Sequence, residues 1–486
     1  MLNSKTIILL TLIFVITLSF RLYFSFQYES LSTESYFHIY QSEKIKNNII
    51  PQNYDELSYS GRLISYPPLF HYILASTSFI PNNYKIIPAL LFALSSVIAF
   101  LISLRISNSK WASLLSALLY SFTPIAVKQT LNSVSIYSLA LPLIFLLVYL
   151  TIIAKEKNIS KYFILISVLL FFSHPSFLIL TLAFILYPLL LKLVNIKINE
   201  NRKEVIIFFI ILSLLAVLLL FRQDLSQIGF NTIFQNIPDQ IKHNYFRSIN
   251  PVEIISGIGL LTLIFGLIGI SNGIFKSKQS SIFLISSLII STFILLLFKL
   301  IDFNIGIMIL GLSLAILSSL GMNVFFTYIS KTKLHKFKLF FILLVLLLAI
   351  FTSVIPSMVS ASNIDVFSKE EIEAFAFLRE KTSKLSTVAA FSIEGHLINL
   401  IGRSNIIDTY YLGAPATTER FNDLNILFKT ELFSAAKQII DRYGVDYILL
   451  TKHGKMFYNV EKLNYQDKCI KEVFRNEEAR IYSTEC

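Results

Sequence analysis

Charged side chains are scarce in this sequence. They make up 15% of the 486 residues, whereas hydrophobic residues make up 55% and the mean hydropathy is +0.67. This composition is too apolar for an ordinary soluble protein of this length. Hydrophobic runs of about 17 to 25 residues recur along it, which is the length that crosses a bilayer as a helix.

The charges that are present cluster at the ends of these runs. A transporter is expected to carry paired charges, or Gly and Pro interruptions, at mid-membrane, so that class is disfavoured. The net charge is +12, but the basic residues are scattered through loops, which disfavours nucleic acid as a partner. The Gly-rich stretch 256–270 is interpreted as a surface for helix packing.

Cysteine is nearly absent, because the chain contains only Cys469 and Cys486. They begin and end the stretch "CIKEVFRNEEARIYSTEC", in which two strand patterns flank a polar turn. Both cysteines are equidistant from that turn. In a symmetric hairpin they would face each other, and an outside compartment permits the bond. We predict a disulfide between them, with two free thiols as the alternative.

About eleven hydrophobic segments are candidates for membrane spans. The pair that meets at Ser173–Ser176 is interpreted as two helices joined by a tight turn, with one kinked helix as the alternative. No small-residue cleavage site follows the first segment, which predicts a signal anchor rather than a cleaved signal peptide. The candidate spans begin near Thr6, Ile86, Trp111, Ser135, Lys161, Pro175, Glu204, Pro251, Ser281, Asn304 and Lys338.

Lys and Arg in the short loops predict the orientation of these spans. If the N-terminus is inside, the inside loops are basic, whereas the outside turns carry only Lys128 and Lys299. The inside residues are Arg105, Lys110, Lys155, Lys157, Lys161, Lys192, Lys197, Arg202, Lys203, Lys276, Lys278, Lys331, Lys333, Lys336 and Lys338. We therefore expect a multi-pass protein of the cell membrane with a cytoplasmic N-terminus and an extracytoplasmic C-terminal domain.

The chain divides into a membrane domain, 1–356, and a soluble domain, 357–486. The membrane domain includes a large outside loop, 27–85, and a second outside loop, 222–250. In the soluble domain, helical patterns such as "KEEIEAFAFLREKT" and "ELFSAAKQIIDRYG" alternate with strand patterns such as "STVAAFSI" and "VDYILLTK". The predicted fold class is an α-helical polytopic membrane protein with a C-terminal extracytoplasmic α/β domain.

The loop 27–85 is rich in ionisable and aromatic side chains. A long loop that returns to the bilayer commonly shapes a pocket, although a solvated loop whose polar residues face water is the alternative. An acid there could accept a proton, and arginines could bind a phosphate through their planar forks. The candidate site residues are Glu34, Tyr36, His38, Asp55, Arg62, Tyr66 and His71, with His174 and Arg222 from later outside turns.

Two stretches of this loop, "ESYFHI" and "SGRLISYPPLFHYIL", resemble the GT-C superfamily of membrane glycosyltransferases. The likeness is closest to archaeal relatives of the oligosaccharyltransferase catalytic subunit, whose first loop carries an Asp followed by aromatic residues and a His. "SHPSFLIL" resembles that family's Thr-His-Pro turn. "FSIEGHLINLIGRSNIID" resembles its Trp-Trp-Asp-Tyr-Gly segment, and "IIDRYGVDYILLTK" the strand that follows.

The resemblance implies transfer of a sugar, with inversion, from a polyprenyl-phosphate-linked donor in the membrane to a glycan or protein acceptor on its outer face. It implies that Glu34, in place of the family's Asp, is the catalytic base. The other candidate residues are expected to bind substrate. An oligosaccharyltransferase for protein N-glycosylation, and a non-catalytic GT-C-like protein, are the alternatives.

This sequence departs from the family's motifs at two places. "KQTLNSVSIYS" lacks the acids of the family's metal motif, so no cofactor is certain and Mg²⁺ or Mn²⁺ stays an open alternative. "FSIEG" keeps only Gly395 of the motif that reads the acceptor in the family. The donor side of the resemblance is therefore better preserved than the acceptor side.

Overall fold

The computed structural model describes residues 3–154, 159–465 and 469–484. The chain forms two compact units. Unit 1 consists of Met1–Gln27, Asn82–Leu219 and Tyr245–Ile364. Unit 2 consists of Tyr28–Pro81, Leu220–Asn244 and Asp365–Cys486.

Helices dominate the described chain, and the strands are short. The helices are α1 Ser4–Gln27, α2 Ser35–Asn48, α3 Leu69–Ser76, α4 Asn83–Ser107, α5 Lys110–Ser121, α6 Pro124–Thr130, α7 Tyr137–Ile153, α8 Ser160–Phe171, α9 Phe177–Leu193, α10 Glu200–Leu220, α11 Arg222–Ile228, α12 Asp239–Tyr245, α13 Pro251–Ile258, α14 Leu260–Asn272, α15 Ser280–Leu297, α16 Phe303–Ser330, α17 Lys338–Ala349, α18 Ile355–Ser362, α19 Lys369–Lys381, α20 Gly395–Leu400, α21 Thr417–Lys429, α22 Phe433–Tyr443 and α23 Lys452–Tyr458. The strands are β1 Tyr54–Asp55, β2 Arg62–Leu63, β3 Thr387–Ala389, β4 Ser404–Asn405, β5 Tyr447–Leu450, β6 Ile470–Arg475 and β7 Arg480–Thr484.

Unit 1 is a bundle of apolar helices. Within the described residues, seven helical segments are long and apolar enough to cross a membrane, and α7, α8 and α9 are shorter apolar helices. The segment predicted near Trp111 forms α5, which has 12 residues. Since α8 ends at Phe171 and α9 begins at Phe177, the prediction of two helices at this turn is confirmed. The long segments are Ser4–Gln27, Asn83–Ser107, Glu200–Leu220, Leu260–Ser277, Ser280–Leu297, Phe303–Ser330 and Lys333–Ser362.

The most buried of these helices is α16, with 94% of its apolar window inside the protein. Asp302 caps its N-terminus, because one carboxylate oxygen accepts from the backbone N–H groups of Asn304 and Ile305 at 2.9 and 3.1 Å. Helix α14 crosses α16 so closely that a Cβ on Gly269 would collide with the Leu317 carbonyl oxygen. The predicted helix-packing role of the Gly-rich stretch is therefore confirmed.

Unit 2 contains a five-stranded sheet with the order β4-β3-β5-β7-β6. Strand β3 is parallel to β4 and β5, and β7 is antiparallel to β5 and β6. The predicted helices α19 and α22, the strand β5 and the terminal hairpin are all present, and α22 ends at Gly444 with φ +59°. Cys486 lies outside the described residues, so its disulfide with Cys469 stays a prediction.

Three separate stretches of chain build unit 2. The hydroxyl of Ser30 donates to the Phe367 carbonyl at 2.6 Å, and the backbone N–H of Asn405 donates to the Leu57 carbonyl at 2.9 Å. The hydroxyl of Thr417 donates to the Asn236 carbonyl at 2.8 Å. Unit 2 thus includes most of the two outside loops, 27–85 and 222–250, which were predicted to belong to the membrane domain.

Candidate functional site

Glu34 stands immediately before α2, at the position that caps a helix. Its side chain is exposed and makes no capping hydrogen bond to the helix. The unpaired N–H groups at a helix N-terminus carry partial positive charge, which stabilises a carboxylate placed there. The position at the helix N-terminus therefore suits an acidic side chain.

Rings from α2 and α3 pack together within unit 2. Phe37 stacks on Tyr410 with 4.4 Å between centroids and 7° between planes. His38 Nδ1 lies 2.9 Å from His71 Nε2, and the Tyr66 ring contacts the His71 ring at 4.8 Å between centroids. The structure thus brings three predicted site residues, His38, Tyr66 and His71, into one aromatic–histidine cluster.

The charge state of this cluster follows from its burial. His71 is 1% exposed, and burial lowers its pKa to about 3. At neutral pH His71 is therefore uncharged, and a single proton lies on the line between its Nε2 and the Nδ1 of His38. His71 therefore does not supply positive charge for a phosphate.

Arg62 is fully engaged inside unit 2. Its Nε donates to the Ser58 hydroxyl at 2.8 Å, one terminal nitrogen donates to the Tyr410 carbonyl at 2.6 Å, and the other pairs with Asp408 at 3.4 Å. The Ser58 hydroxyl also donates to Asp408 at 2.6 Å. Every guanidinium nitrogen has an acceptor within the unit, so the geometry supports a role in holding the loop rather than in binding substrate.

Asp55 and Tyr36 are also interior residues. One Asp55 oxygen accepts from the Tyr40 hydroxyl at 2.9 Å and from the Leu57 N–H at 3.1 Å, and the other lies 3.3 Å from Lys44 Nζ. Tyr36 packs on Phe367, and burial raises the pKa of its hydroxyl to about 12. Asp55 is engaged by hydrogen bonds and an ion pair within unit 2, whereas Glu34 is exposed.

The two candidates from later turns lie in different units. His174 belongs to unit 1, where its Nδ1 accepts from the Ser176 N–H at 3.0 Å and its ring contacts Tyr137 edge-on. Because Nδ1 is an acceptor, the neutral ring carries its proton on Nε2. Arg222 is the first residue of α11 in unit 2, and its side chain is exposed.

Several buried polar residues were not assigned a role from the sequence. Asp408 is fully buried, and Asn405 donates to the Gly395 carbonyl at 2.9 Å. Glu394 accepts from the Thr451 hydroxyl and from the Phe391 N–H, and burial raises its pKa to about 8. All three lie in "FSIEGHLINLIGRSNIID". From the sequence, this stretch indicated a resemblance to the family's acceptor segment but no role for these three side chains.

A divalent cation would need a group of side chains that can ligate it. Among the described residues, no group of three or more His, Cys, Asp or Glu side chains is arranged to hold a metal ion. The segment 128–138 supplies only hydroxyl, amide and ammonium groups between its apolar residues. Hard divalent cations need carboxylate oxygens, so this segment does not fit Mg²⁺ or Mn²⁺.

Comparisons with known proteins identify relatives at low identity. No family model matches the chain. A curated relative, the dolichyl-phosphooligosaccharide-protein glycotransferase 1 of Archaeoglobus fulgidus, is 27% identical over 290 residues, which is 49% of this chain and 49% of the relative. The chain therefore matches about half the length of this curated relative.

Solved structures match over nearly the whole chain. The oligosaccharyltransferase AglB from Archaeoglobus fulgidus, in complex with an inhibitory peptide and a dolichol-phosphate, has a TM-score of 0.73 at 14% identity, covering 94% of this chain and 70% of that one. ArnT from Cupriavidus metallidurans, bound to undecaprenyl phosphate, has a TM-score of 0.52 at 10% identity, covering 99% and 98%. The expected fold, a polytopic helical protein with a C-terminal domain that contains a sheet, is confirmed.

Proposed function

We propose that this protein is a membrane glycosyltransferase that transfers a sugar from a polyprenyl-phosphate-linked donor to an acceptor. The observation that carries the proposal is the fold, shared over 94% of the chain with an oligosaccharyltransferase solved with a dolichol-phosphate. The curated relative's name specifies the same donor class. The exposed carboxylate of Glu34, at the N-terminus of α2, supplies the base that such a transfer needs.

In the proposed step, Glu34 accepts the proton of the acceptor's nucleophilic group. That group forms a bond to the anomeric carbon, and the bond between the carbon and the phosphate oxygen breaks. The electron pair leaves with the polyprenyl phosphate, and the configuration at the anomeric carbon inverts. Positive groups that bind the phosphate stabilise the charge that develops on the leaving group.

Protein N-glycosylation is the second candidate, with an asparagine side chain as acceptor. It is favoured by the curated relative, a protein glycotransferase, and by the peptide bound in the AglB structure. The segment that resembles the family's acceptor motif contains a fully buried Glu394, which accepts from the Thr451 hydroxyl. For that reason the broader glycosyltransferase is proposed first.

We also propose the cell membrane as the location, with a cytoplasmic N-terminus and unit 2 outside. The distribution of Lys and Arg in the short loops supports this orientation. It would place a donor lipid in the bilayer while its sugar is exposed on the outer side.

A panel of radiolabelled polyprenyl-phosphate sugars, incubated with the purified protein, tests the function. Each donor is offered with a peptide that contains Asn-X-Thr, with its Gln-X-Thr counterpart, and with a glycan acceptor. Label transfer to the Asn peptide alone selects protein N-glycosylation, whereas transfer to the glycan selects the broader proposal. If no donor releases its lipid phosphate with any acceptor, the enzyme proposal is wrong.

A further inference from the structure

Unit 1 contains a polar cavity at one end of its helix bundle. The cavity has a volume of about 70 Å³ and lies between the start of α5, the end of α16 and the start of α17. The polar residues that line it are Ser109, Trp111, Asn323, Thr327, Ser330 and Lys338.

Three of these side chains carry hydrogen-bond donors that no protein group accepts. The Trp111 indole N–H, the Thr327 hydroxyl and the Lys338 ammonium have no hydrogen-bond or ion-pair partner within the described part of the chain. Together they bring one positive charge and neutral N–H and O–H donors to the same small space. A ligand that satisfies such a set is rich in acceptors and negatively charged, as a phosphate group is.

The residues around this cavity include basic side chains but no acids. The sequence has no Asp or Glu from 57 to 155 or from 303 to 364, the two stretches that supply every lining residue. A cluster of lysines at the end of membrane helices attracts anionic lipid headgroups. Four further exposed lysines flank the lining residues in sequence, namely Lys110, Lys331, Lys333 and Lys336.

The volume of the cavity suits a single phosphate group. An enclosed water needs about 10 to 15 Å³, so a cavity of this volume accommodates roughly five groups of atomic size. A phosphate group consists of one phosphorus and four oxygen atoms. The cavity can therefore take the phosphate of a lipid headgroup while the rest of the lipid stays outside it.

The surroundings of the cavity suit the remainder of a lipid. The segment Lys333–Ser362, which includes α17, has only 17% of its apolar window buried, so most of this helix faces outward. Leu339 and Phe340, directly after Lys338, are both exposed. Trp111 is also half-exposed, and tryptophan favours the level of the lipid headgroups.

The position of the cavity along α4 separates it from the first loop. Asn323 donates from its amide nitrogen to the carbonyl of Ser107, the last residue of α4, at 2.9 Å. The first loop joins α4 at its other end, Asn83, and a helix of 25 residues is about 37 Å long. A lipid bound here is therefore distinct from the sugar donor of the proposed transfer.

We propose that the cavity between α5, α16 and α17 binds the phosphate group of an anionic membrane lipid. Lys338 pairs with the phosphate charge, Trp111 and Thr327 donate to the phosphate oxygens, and the hydrocarbon chains lie along the exposed side of α17. In the orientation proposed above, this lipid belongs to the inner leaflet. The inference goes beyond the proposed function and does not require it, because binding involves no transfer of sugar.

Native mass spectrometry of the purified, delipidated full-length protein tests the site. The probes are phosphatidylglycerol, phosphatidylcholine, glycerol phosphate and a polyprenyl phosphate. We expect phosphatidylglycerol to bind more tightly than phosphatidylcholine, and about fivefold more weakly to Lys338→Gln than to the wild type. One basic residue beside a membrane contributes roughly that factor to the attraction of anionic lipid.

Two further variants separate the cavity from its charged surroundings. Thr327→Leu fills the cavity without changing the charge and should also weaken the binding of phosphatidylglycerol. Lys276→Gln removes an exposed lysine from the loop between α14 and α15, and it should bind like the wild type. Lys338 and Thr327 are exposed, so their variants should fold.

Several results would overturn the proposal. One is equal binding of phosphatidylglycerol by the wild type, Lys338→Gln and Thr327→Leu, and another is equal binding of phosphatidylglycerol and phosphatidylcholine by the wild type. An equal loss in Lys276→Gln and Lys338→Gln would show that the basic surface attracts lipid without a defined site. If glycerol phosphate alone depends on Lys338, the ligand is a free phosphate, and if polyprenyl phosphate alone does, the cavity serves the donor. Either result contradicts the assignment to an anionic membrane lipid.

Discussion

At the residue scale, Glu34 is distinguished from the other first-loop acids by exposure at a helix N-terminus. Glu34→Gln keeps the shape of the side chain and removes the base. We expect sugar transfer to fall by about 10² to 10⁴, the usual contribution of a positioned base, with donor binding unchanged. Turnover is measured as released lipid phosphate.

Glu56→Gln is the matched control for this substitution, because Glu56 is an exposed acid of the same loop. It should retain wild-type turnover. Full activity of Glu34→Gln would show that another group accepts the proton.

The ion pair between Arg62 and Asp408 leads to a prediction about stability. Both side chains are buried, so Arg62→Ala removes the arginine that faces Asp408 and leaves His396, whose Nε2 lies 3.7 Å from the same carboxylate oxygen, as its basic neighbour. Breaking a buried pair in this way costs about 3 to 5 kcal/mol, which should lower the apparent melting temperature. The double variant Arg62→Ala/Asp408→Asn should be less destabilised than Arg62→Ala. A variant that melts normally but no longer binds donor would instead support the substrate role predicted from the sequence.

Glu394 predicts a dependence of stability on pH. Its pKa is about 8 in the folded protein and near 4.5 when unfolded, so above pH 4.5 the folded state retains a proton that the unfolded state releases. The contribution of Glu394 to the free energy of unfolding therefore falls as pH rises from about 4.5 to 8. In Glu394→Gln this decline should be smaller.

The window from pH 4.5 to 6.5 excludes the loss of stability from His453, and His71, whose pKa burial lowers to about 3, changes the stability there equally in the wild type and in Glu394→Gln. Within unit 2, His453 has its ring nitrogens 2.7 Å from Glu371 and 2.9 Å from Asp365. Burial opposes its charge, but these hydrogen bonds outweigh burial and raise its pKa from 6.5 to about 10, so its own contribution is lost only above pH 6.5. If the melting temperatures of the wild type and of Glu394→Gln fall equally across this window, Glu394 is already ionised in the folded protein.

The first-loop residues could be singled out from the sequence, whereas their contacts could not. The composition and order of Glu34, His38 and His71 were visible as a motif, and the structure places both histidines in contact. The engagement of Arg62 could not be inferred, because its partner Asp408 lies 346 positions later and no local pattern links the two. Exposure, which separates Glu34 from Asp55, is likewise a tertiary property.

At the element scale, the crossing of α14 and α16 depends on glycine. A Cβ on Gly321 would collide with the Phe265 carbonyl oxygen, which is a backbone atom of α14 and could move away only if the helix shifted. We expect Gly321→Ala to destabilise the protein by about 1 to 3 kcal/mol, as overpacking does elsewhere. The melting temperature in detergent measures this loss.

Gly257→Ala is the control, because a Cβ there meets Ile125 and Ile307 at 3.4 Å, an ordinary contact. It should melt within about 1 kcal/mol of the wild type. If Gly321→Ala and Gly257→Ala had the same melting temperature, α14 and α16 could separate without loss of stability.

Elements with local signals were predictable, and those without were not. Helix α19 begins with a capping box formed by Ser368 and Glu371, and α22 ends on Gly444, as their sequences indicate. Strands β1 and β2 have two residues each and pair only with one another, so no periodicity could reveal them. Strand β4 has two residues and depends on its pairing with β3.

At the scale of the whole molecule, the proposed orientation is tested by labelling. Lys333 and Lys452 are both exposed, so each is replaced by Cys in a background that carries Ser at 469 and 486. We expect an impermeant maleimide to label position 452 on intact cells and position 333 only after permeabilisation, because the basic loops stay inside. Equal labelling of both positions on intact cells would contradict the orientation.

The sequence predicted a polytopic bundle and an α/β domain, because hydropathy and periodicity are local properties. It did not predict that unit 2 collects residues 28–81 and 220–244 together with the C-terminal stretch. That assembly depends on contacts such as the one between Tyr59 and the Asp408 carbonyl, 349 positions apart. Contacts of this separation leave no trace in the spacing of residues.

The composition of unit 2 has a consequence for biosynthesis. Residues 28–81 leave the ribosome about 280 residues before residue 365, the start of the stretch that completes their hydrogen bonds. At about 5 to 20 residues per second, the nascent first loop waits roughly 15 to 60 seconds without its partners. During that interval Phe37, Tyr59 and other rings that end up buried are exposed on an unfinished chain. Synthesis of this protein therefore includes a stage in which chaperones have a defined aromatic segment to protect, and that stage ends only when the last quarter of the chain has been made.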